Sequence, residues 1–169
     1  MDMSTKSAVS IEDYLKTSFE GLDREYVDGE IVERTLPTFI HGKTQWRLSG
    51  LIWEFSKTLP FHGCTEVRSR VGPTRIRIPD VAIYAGGEPT ESVPTQPPLV
   101  AIEILSPDDR YSKLMQKFEE YNAWGVRHIW LVDPESRKLK VYADGTLSEV
   151  TALTIPEFDV QFTAAEIFG

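Results

Sequence analysis

Glu103 stands alone in an apolar run, Leu99-Val100-Ala101-Ile102-Glu103-Ile104-Leu105, whose composition is that of a buried strand. A carboxylate taken out of water without a partner is costly, so the chain must supply a metal ion, an Arg or Lys, or a retained proton. Asp80 sits in a similar setting in Ile76-Arg77-Ile78-Pro79-Asp80-Val81-Ala82-Ile83. Strand parity puts Asp80, Ala82 and Tyr84 on one face, and Leu99, Ala101, Glu103 and Leu105 on one face of the next strand. If those strands pair near that point, the two acids lie opposite each other and repel. A magnesium ion, or manganese in its place, removes the conflict, and hard oxygen ligands suit both. A bound ion of this kind also lowers the pKa of a water and creates a nucleophile. Two plainer accounts compete: Glu103 pairs with Arg75 or Arg77, or it stays protonated in an apolar site. Asp80 after Pro79 is also an ordinary way to begin a turn or strand.

Lys113 and Lys117 fall four apart on the helix predicted after Glu103, and either can reach back over the strand end to a phosphate. The alternative for both is a solvated helix face. Between Val67 and Pro79 the chain carries Arg68, Arg70, Arg75 and Arg77 and no acid. These are the candidates for a nucleic-acid-binding lip, although an arginine-rich face is often only solvated.

The elements that must position these groups follow from the apolar pattern. Ser10 caps a short helix over Ile11 to Leu15, which reads as a lid. Asp28-Gly29, between Arg24-Val27 and Glu30-Arg34, predicts a β-hairpin. Trp46, Leu48, Leu51, Ile52, Phe55 and Leu59 recur at helical spacing from about Phe39 to Leu59. Thr65 to Val71 and Arg75 to Tyr84 read as strands paired about Gly72-Pro73, followed by a long loop from Gly86 to Pro98. The helix from about Arg110 to Trp124 stops at Gly125. Strands are predicted at His128 to Val132, Leu139 to Tyr142 and Leu147 to Leu153, and a terminal helix at Ala164 to Phe168. The order predicts an α/β sandwich around a mixed sheet with a crossover.

The 169 residues fit a single domain over 1–169, with 41% hydrophobic and 11% aromatic content, so metal is not needed for folding. No apolar stretch approaches the roughly 20 residues of a membrane span, and the N-terminus carries charge where a secretory core would lie. The expectation is a cytoplasmic protein. The single Cys64 excludes an intrachain disulfide and a cysteine-rich zinc site, and His41, His62 and His128 are too scattered for a helical zinc motif. A net charge of −8 argues against a protein that coats nucleic acid.

Pro79-Asp80, Glu103-Ile104-Leu105-Ser106-Pro107, Lys117, Tyr121, Gly125-Val126 and Trp130-Leu131-Val132-Asp133-Pro134 together resemble the Uma-type restriction-endonuclease family. Tyr26-Val27-Asp28-Gly29-Glu30 resembles its entry motif, and the likeness runs from about Ile11 to Phe168. That family is assigned to the PD-(D/E)xK nuclease superfamily. The resemblance implies a restriction-endonuclease-like fold, a mixed central sheet flanked by helices, with Asp80 and Glu103 as the acids that bind magnesium. It further implies an endonuclease hydrolysing DNA phosphodiester bonds, with a homodimer as a plausible assembly. The superfamily lysine two residues after the glutamate is replaced by Leu105, and the matching role falls to Lys117, with Lys113 second. Glu30 and His41 match positions the family keeps polar. Glu30 is either a third carboxylate or a solvated hairpin residue, and His41 either catalytic or a helix-start residue. Two rival functions stand: an inactive nuclease-fold module that binds nucleic acid or a protein, favoured by Leu105, and a metal-free hydrolase using the acid pair as acid and base.

Overall fold

In the computed structural model of the protein, described over residues 8–169, the chain builds a mixed sheet with helices on both faces. The N-terminal charges read above against a secretory signal lie outside the described residues. Helix α1 (Ile11–Leu15) precedes strands β1 (Glu25–Val27) and β2 (Glu30–Val32), joined at Asp28 and Gly29, both of positive φ as this tight turn requires. Next comes the long helix α2 (Phe39–Ser56), with Thr38 accepting a hydrogen bond from His41 N at its start. Strands β3 (Phe61–Thr65), β4 (Ser69–Gly72), β5 (Arg75–Arg77), β6 (Val81–Ala85) and β7 (Val100–Ile104) follow. Helix α3 (Tyr111–Trp124) ends at Gly125, whose φ of 111° is a left-handed conformation. The chain closes with β8 (His128–Asp133), β9 (Lys138–Ala143), β10 (Thr146–Val150), β11 (Ala152–Ile155), β12 (Val160–Thr163) and α4 (Ala164–Phe168).

The six-stranded sheet has the order β10-β9-β8-β7-β6-β3, and within it β7 and β8 run parallel with α3 as their crossover. A four-stranded sheet, β2-β1-β5-β4, stands beside it. One face of the larger sheet, with Ile83, Val100, Ile102, Trp130 and Val132, packs on Leu48 and Ile52 of α2 and Ile167 of α4. The opposite face, with Ala101, Ile129 and Leu131, meets Leu114, Phe118 and Tyr121 of α3. Each such fully buried aliphatic or aromatic side chain contributes about 1.5–3 kcal/mol. Among the described residues no helix is long and apolar enough to cross a membrane.

Several local expectations are corrected. The strand predicted over Arg75–Tyr84 is two: Pro79 lacks an N–H, and there the chain passes from the four-stranded to the six-stranded sheet. The strand predicted at Leu147–Leu153 also divides, into β10 and β11, and β11 pairs with β12, which periodicity did not show. Helix α1 is an anchor and not a lid. Its Tyr14 is fully buried, with the hydroxyl donating to the Arg24 carbonyl and the Arg68 guanidinium 4.5 Å from the ring centroid. The Gly86–Pro98 loop is pinned where Arg70 N donates to the Pro94 carbonyl and the Trp124 indole to the Thr95 carbonyl. Trp46, placed by spacing with the core residues of α2, faces outward.

Candidate active site

The register of β6 against β7 pairs Val81 with Ile102 and Ala82 with Ala101, so one further step brings Asp80 level with Glu103. Both acids are buried, and both line one cleft of about 420 Å³. Asp80 Oδ2 accepts a hydrogen bond from Ile104 N at 2.7 Å and lies 3.4 Å from His41 Nε2. Its Oδ1 accepts from Arg34 at 3.2 Å, and Arg34 in turn pairs with Glu66. Gln45 donates to the Asp80 carbonyl at 2.8 Å and to Glu66 at 3.0 Å. Thus β2's exit, α2 and β7 all hold one aspartate.

Glu103 is held from α3. Its Oε1 accepts from the Tyr121 hydroxyl at 2.6 Å, and its Oε2 lies 3.5 Å from the Lys117 ammonium. Tyr121 and Lys117 stand four apart, one turn of the same helix face. Lys117 also donates to Glu25 Oε1 at 2.9 Å, and Glu25 accepts from Ile78 N at 3.0 Å and from Arg77 at 2.9 Å. Arg77 then grips both oxygens of Glu120, at 2.6 and 2.9 Å. The result is a chain of charges running from Glu103 through Lys117, Glu25 and Arg77 to Glu120, buried at every member but the half-buried Lys117.

Burial, with Asp80 and Glu25 nearby, pushes the Glu103 carboxyl up to about 8 against the opposing pull of Lys117. Glu25 is equally deep, yet Lys117 and Arg77 outweigh its desolvation and hold it below the usual carboxylate range. For Lys117, burial opposes its charge, but Glu103 and Glu25 overcome it and raise the ammonium pKa. Burial likewise opposes the His41 charge, and Asp80 reverses this, so the imidazole titrates higher than usual. These shifts fix a sign. Glu103 titrates higher folded than unfolded, so its proton stabilises the fold fully below the unfolded value of about 4.3, and that stability is lost as pH rises through about 8. Thermal melts in EDTA from about pH 5 to about pH 9 should therefore show wild type losing ground to Glu103→Gln as pH rises. A difference between the two that is constant across that range would contradict the assignment.

The remaining candidates are placed as follows. Lys113 and Glu30 are exposed residues on the cleft wall, and His41 is buried against Asp80. Neither Arg75 nor Arg77 reaches Glu103; Arg75 pairs with Asp28 and Glu120. The basic lip is largely dismantled. Arg68 is bound to Asp23 and to the carbonyls of Tyr14, Leu15 and Thr17, Arg77 is buried, and Arg70 donates to the Pro73 carbonyl. The acid partners of Arg68, Arg75 and Arg77 are supplied by distant segments, which local composition does not reveal. Leu105, in the place of the superfamily lysine, packs with the α3 cluster.

Sequence reasoning missed Glu25, Arg34, Gln45 and Glu66, and gave Tyr121 no role beyond its place in the family motif. A hairpin glutamate is normally solvated, and only the pairing of β1 with β5 buries Glu25. For Tyr121 a signal was present: four residues after Lys117, it had to share that lysine's face.

Residues 11–168 match the Uma2 family, described as "Putative restriction endonuclease". A solved chain from Anabaena variabilis, described as a putative nuclease belonging to DUF820, superposes with a TM-score of 0.82. It is 20% identical, over 95% of this chain and 97% of that one, a likeness of fold. A search of curated proteins found no match. The family match spans both acid-bearing strands and the helix that supports them, and on that extent the chain belongs to the Uma2 family.

Proposed function

We propose that the protein is a divalent-metal-dependent endonuclease that hydrolyses DNA phosphodiester bonds, with Asp80 and Glu103 holding magnesium, or manganese as a substitute. The observation that carries this reading is the pair of buried acids, level on adjacent strands and open to one cleft. The donor set fits. A carboxylate offers about four lone-pair sites. Asp80 receives Ile104 N, His41 and Arg34, and Glu103 receives Tyr121 and Lys117, so each retains capacity for a cation. Among the described residues no three His, Cys, Asp or Glu side chains form a metal cage. Magnesium binds through one or two carboxylates and keeps several waters, so two acids suffice.

When bound, such an ion supplies charge neutralisation at the phosphate and a water of lowered pKa. The protein's own groups do the rest. Arg34, His41 and Ile104 N fix the Asp80 carboxylate, and Tyr121 fixes that of Glu103. Lys117, held by Glu25, presents a permanent cation beside Glu103 to stabilise charge on the phosphate or to orient the attacking water. The loss of lysine at position 105 therefore does not leave the cleft without an ammonium. Arg110 and Lys113, exposed at the start of α3 on the cleft wall, take the place of the internally bonded arginines as contacts for the DNA backbone. We place the activity in the cytoplasm.

The test is incubation of the purified protein with supercoiled plasmid in magnesium or manganese, with calorimetric titration of each ion. Nicked or linear product that disappears in EDTA is expected. No cleavage and no ion binding would overturn the reading, and cleavage surviving EDTA would transfer the acid pair to metal-free chemistry. Lys117→Ala should cost about 100-fold in rate with ion affinity retained, the scale of losing one preorganised donor. Lys113→Ala should cost less than about tenfold, as for a backbone contact. The reverse order in single-turnover assays would reassign the cation.

A further inference from the structure

Helix α2 turns His41, Thr44, Leu48 and Ile52 inward, and its opposite side carries an aromatic stripe. Phe39, Trp46 and Trp53 are 87%, 74% and 67% exposed. Positions seven apart on a helix drift by only about 20° per step, so the three rings form one line. Gly42 and Gly50 lie beside that line, and a Cβ at either would meet nothing within 4 Å. Glycine is a poor helix former, and nothing inside the protein requires the space. The outer surface is therefore a row of large rings with shallow seats between them.

We propose that this face of α2 docks against the same face of a second copy of the chain, the two helices antiparallel about a two-fold axis, with Trp46 of each copy seated on Gly50 of the other. Three observations select a second copy. The rings alone expose on the order of 500 Å², more than half of the ~800 Å² per partner in a standard interface. The stripe is self-complementary, large on small, as a two-fold contact requires. The same alignment brings Glu54 of one copy to within about one residue's rise of Lys43 of the other, on the same flank. Glu54 is exposed and, among the described residues, bonded only to Lys57 of its own turn, so that surface pair exchanges at little cost. The proposal stands apart from the nuclease reading.

Sedimentation velocity and light scattering on the full chain, from about 1 to about 100 μM, test it. Wild type should be a dimer over part of this range, and Trp46→Glu should weaken the dimer by about 30-fold or more, the effect of losing a central aromatic anchor. Gly50→Gln should weaken it as well while the monomer melts at the same or a higher temperature, because the substitution favours helix. Both substitutions lie outside the proposed catalytic groups. A wild-type monomer at about 100 μM, or a dimer that neither substitution affects, overturns the proposal. So does a monomer whose tryptophan fluorescence is saturably quenched by oligothymidylate, which would give the stripe to single-stranded nucleic acid.

Discussion

Glu103→Gln should reduce metal-dependent DNA cleavage by at least about 1,000-fold and abolish calorimetric binding of magnesium, while the folded structure persists. Glutamine keeps the size of the side chain and an oxygen able to accept the Tyr121 hydroxyl, so the 2.6 Å bond survives. What is lost is the capacity to ionise, which holding the cation requires. The new amide offers donors toward the Lys117 ammonium, 3.5 Å from the present oxygen, where an acceptor stood. Asp80 needs a different substitution. Alanine there would strand the buried Ile104 N–H and free Arg34 and His41, at about 1–3 kcal/mol for the orphaned donor alone. Asp80→Asn is therefore the cleaner variant. Cleavage within tenfold of wild type in either conservative variant, from a preparation free of contaminating nuclease, would end the assignment.

Arg77→Ala should destabilise the protein by about 3–5 kcal/mol, because the guanidinium stands between two buried carboxylates and each would lose its buried counter-charge there. Glu25 would retain Lys117 and Ile78 N, whereas Glu120 would depend on Arg75 from a more exposed position. Urea unfolding should show a lower midpoint at an unchanged slope. A role of Arg77 in gripping DNA makes the opposite forecast, normal stability with weakened binding, so one denaturation curve separates the two.

These cases show what the chain discloses and what it conceals. Glu103 and Asp80 were legible because ionisable groups in apolar strands demand an explanation, and period-two parity aligns them from the sequence alone. The Asp28-Gly29 hairpin, α2, α3 and α4 were legible because their turn, cap and stop signals are local. The arginines misled because their alternation with Val and Ile looks the same whether the charged face meets water or acids folded in from elsewhere. Arg77 finds Glu120 across 43 residues, and Arg68 finds Asp23 across 45. Trp46 misled for a related reason: helical periodicity describes a stripe of large apolar residues without saying which side is inside. The division at Pro79 was present in the imino acid, but the sequence did not say that a second sheet awaited the chain on its far side.

That division has a mechanical consequence. Glu25 belongs to the smaller sheet and Glu103 to the larger, and the Lys117 ammonium spans 2.9 Å to one and 3.5 Å to the other. The lysine is a clasp across the joint. A ligand that wedges the cleft wider must stretch it, and one that draws the sheets together must tighten it, so the field felt by Glu103 reports how far apart the two halves stand.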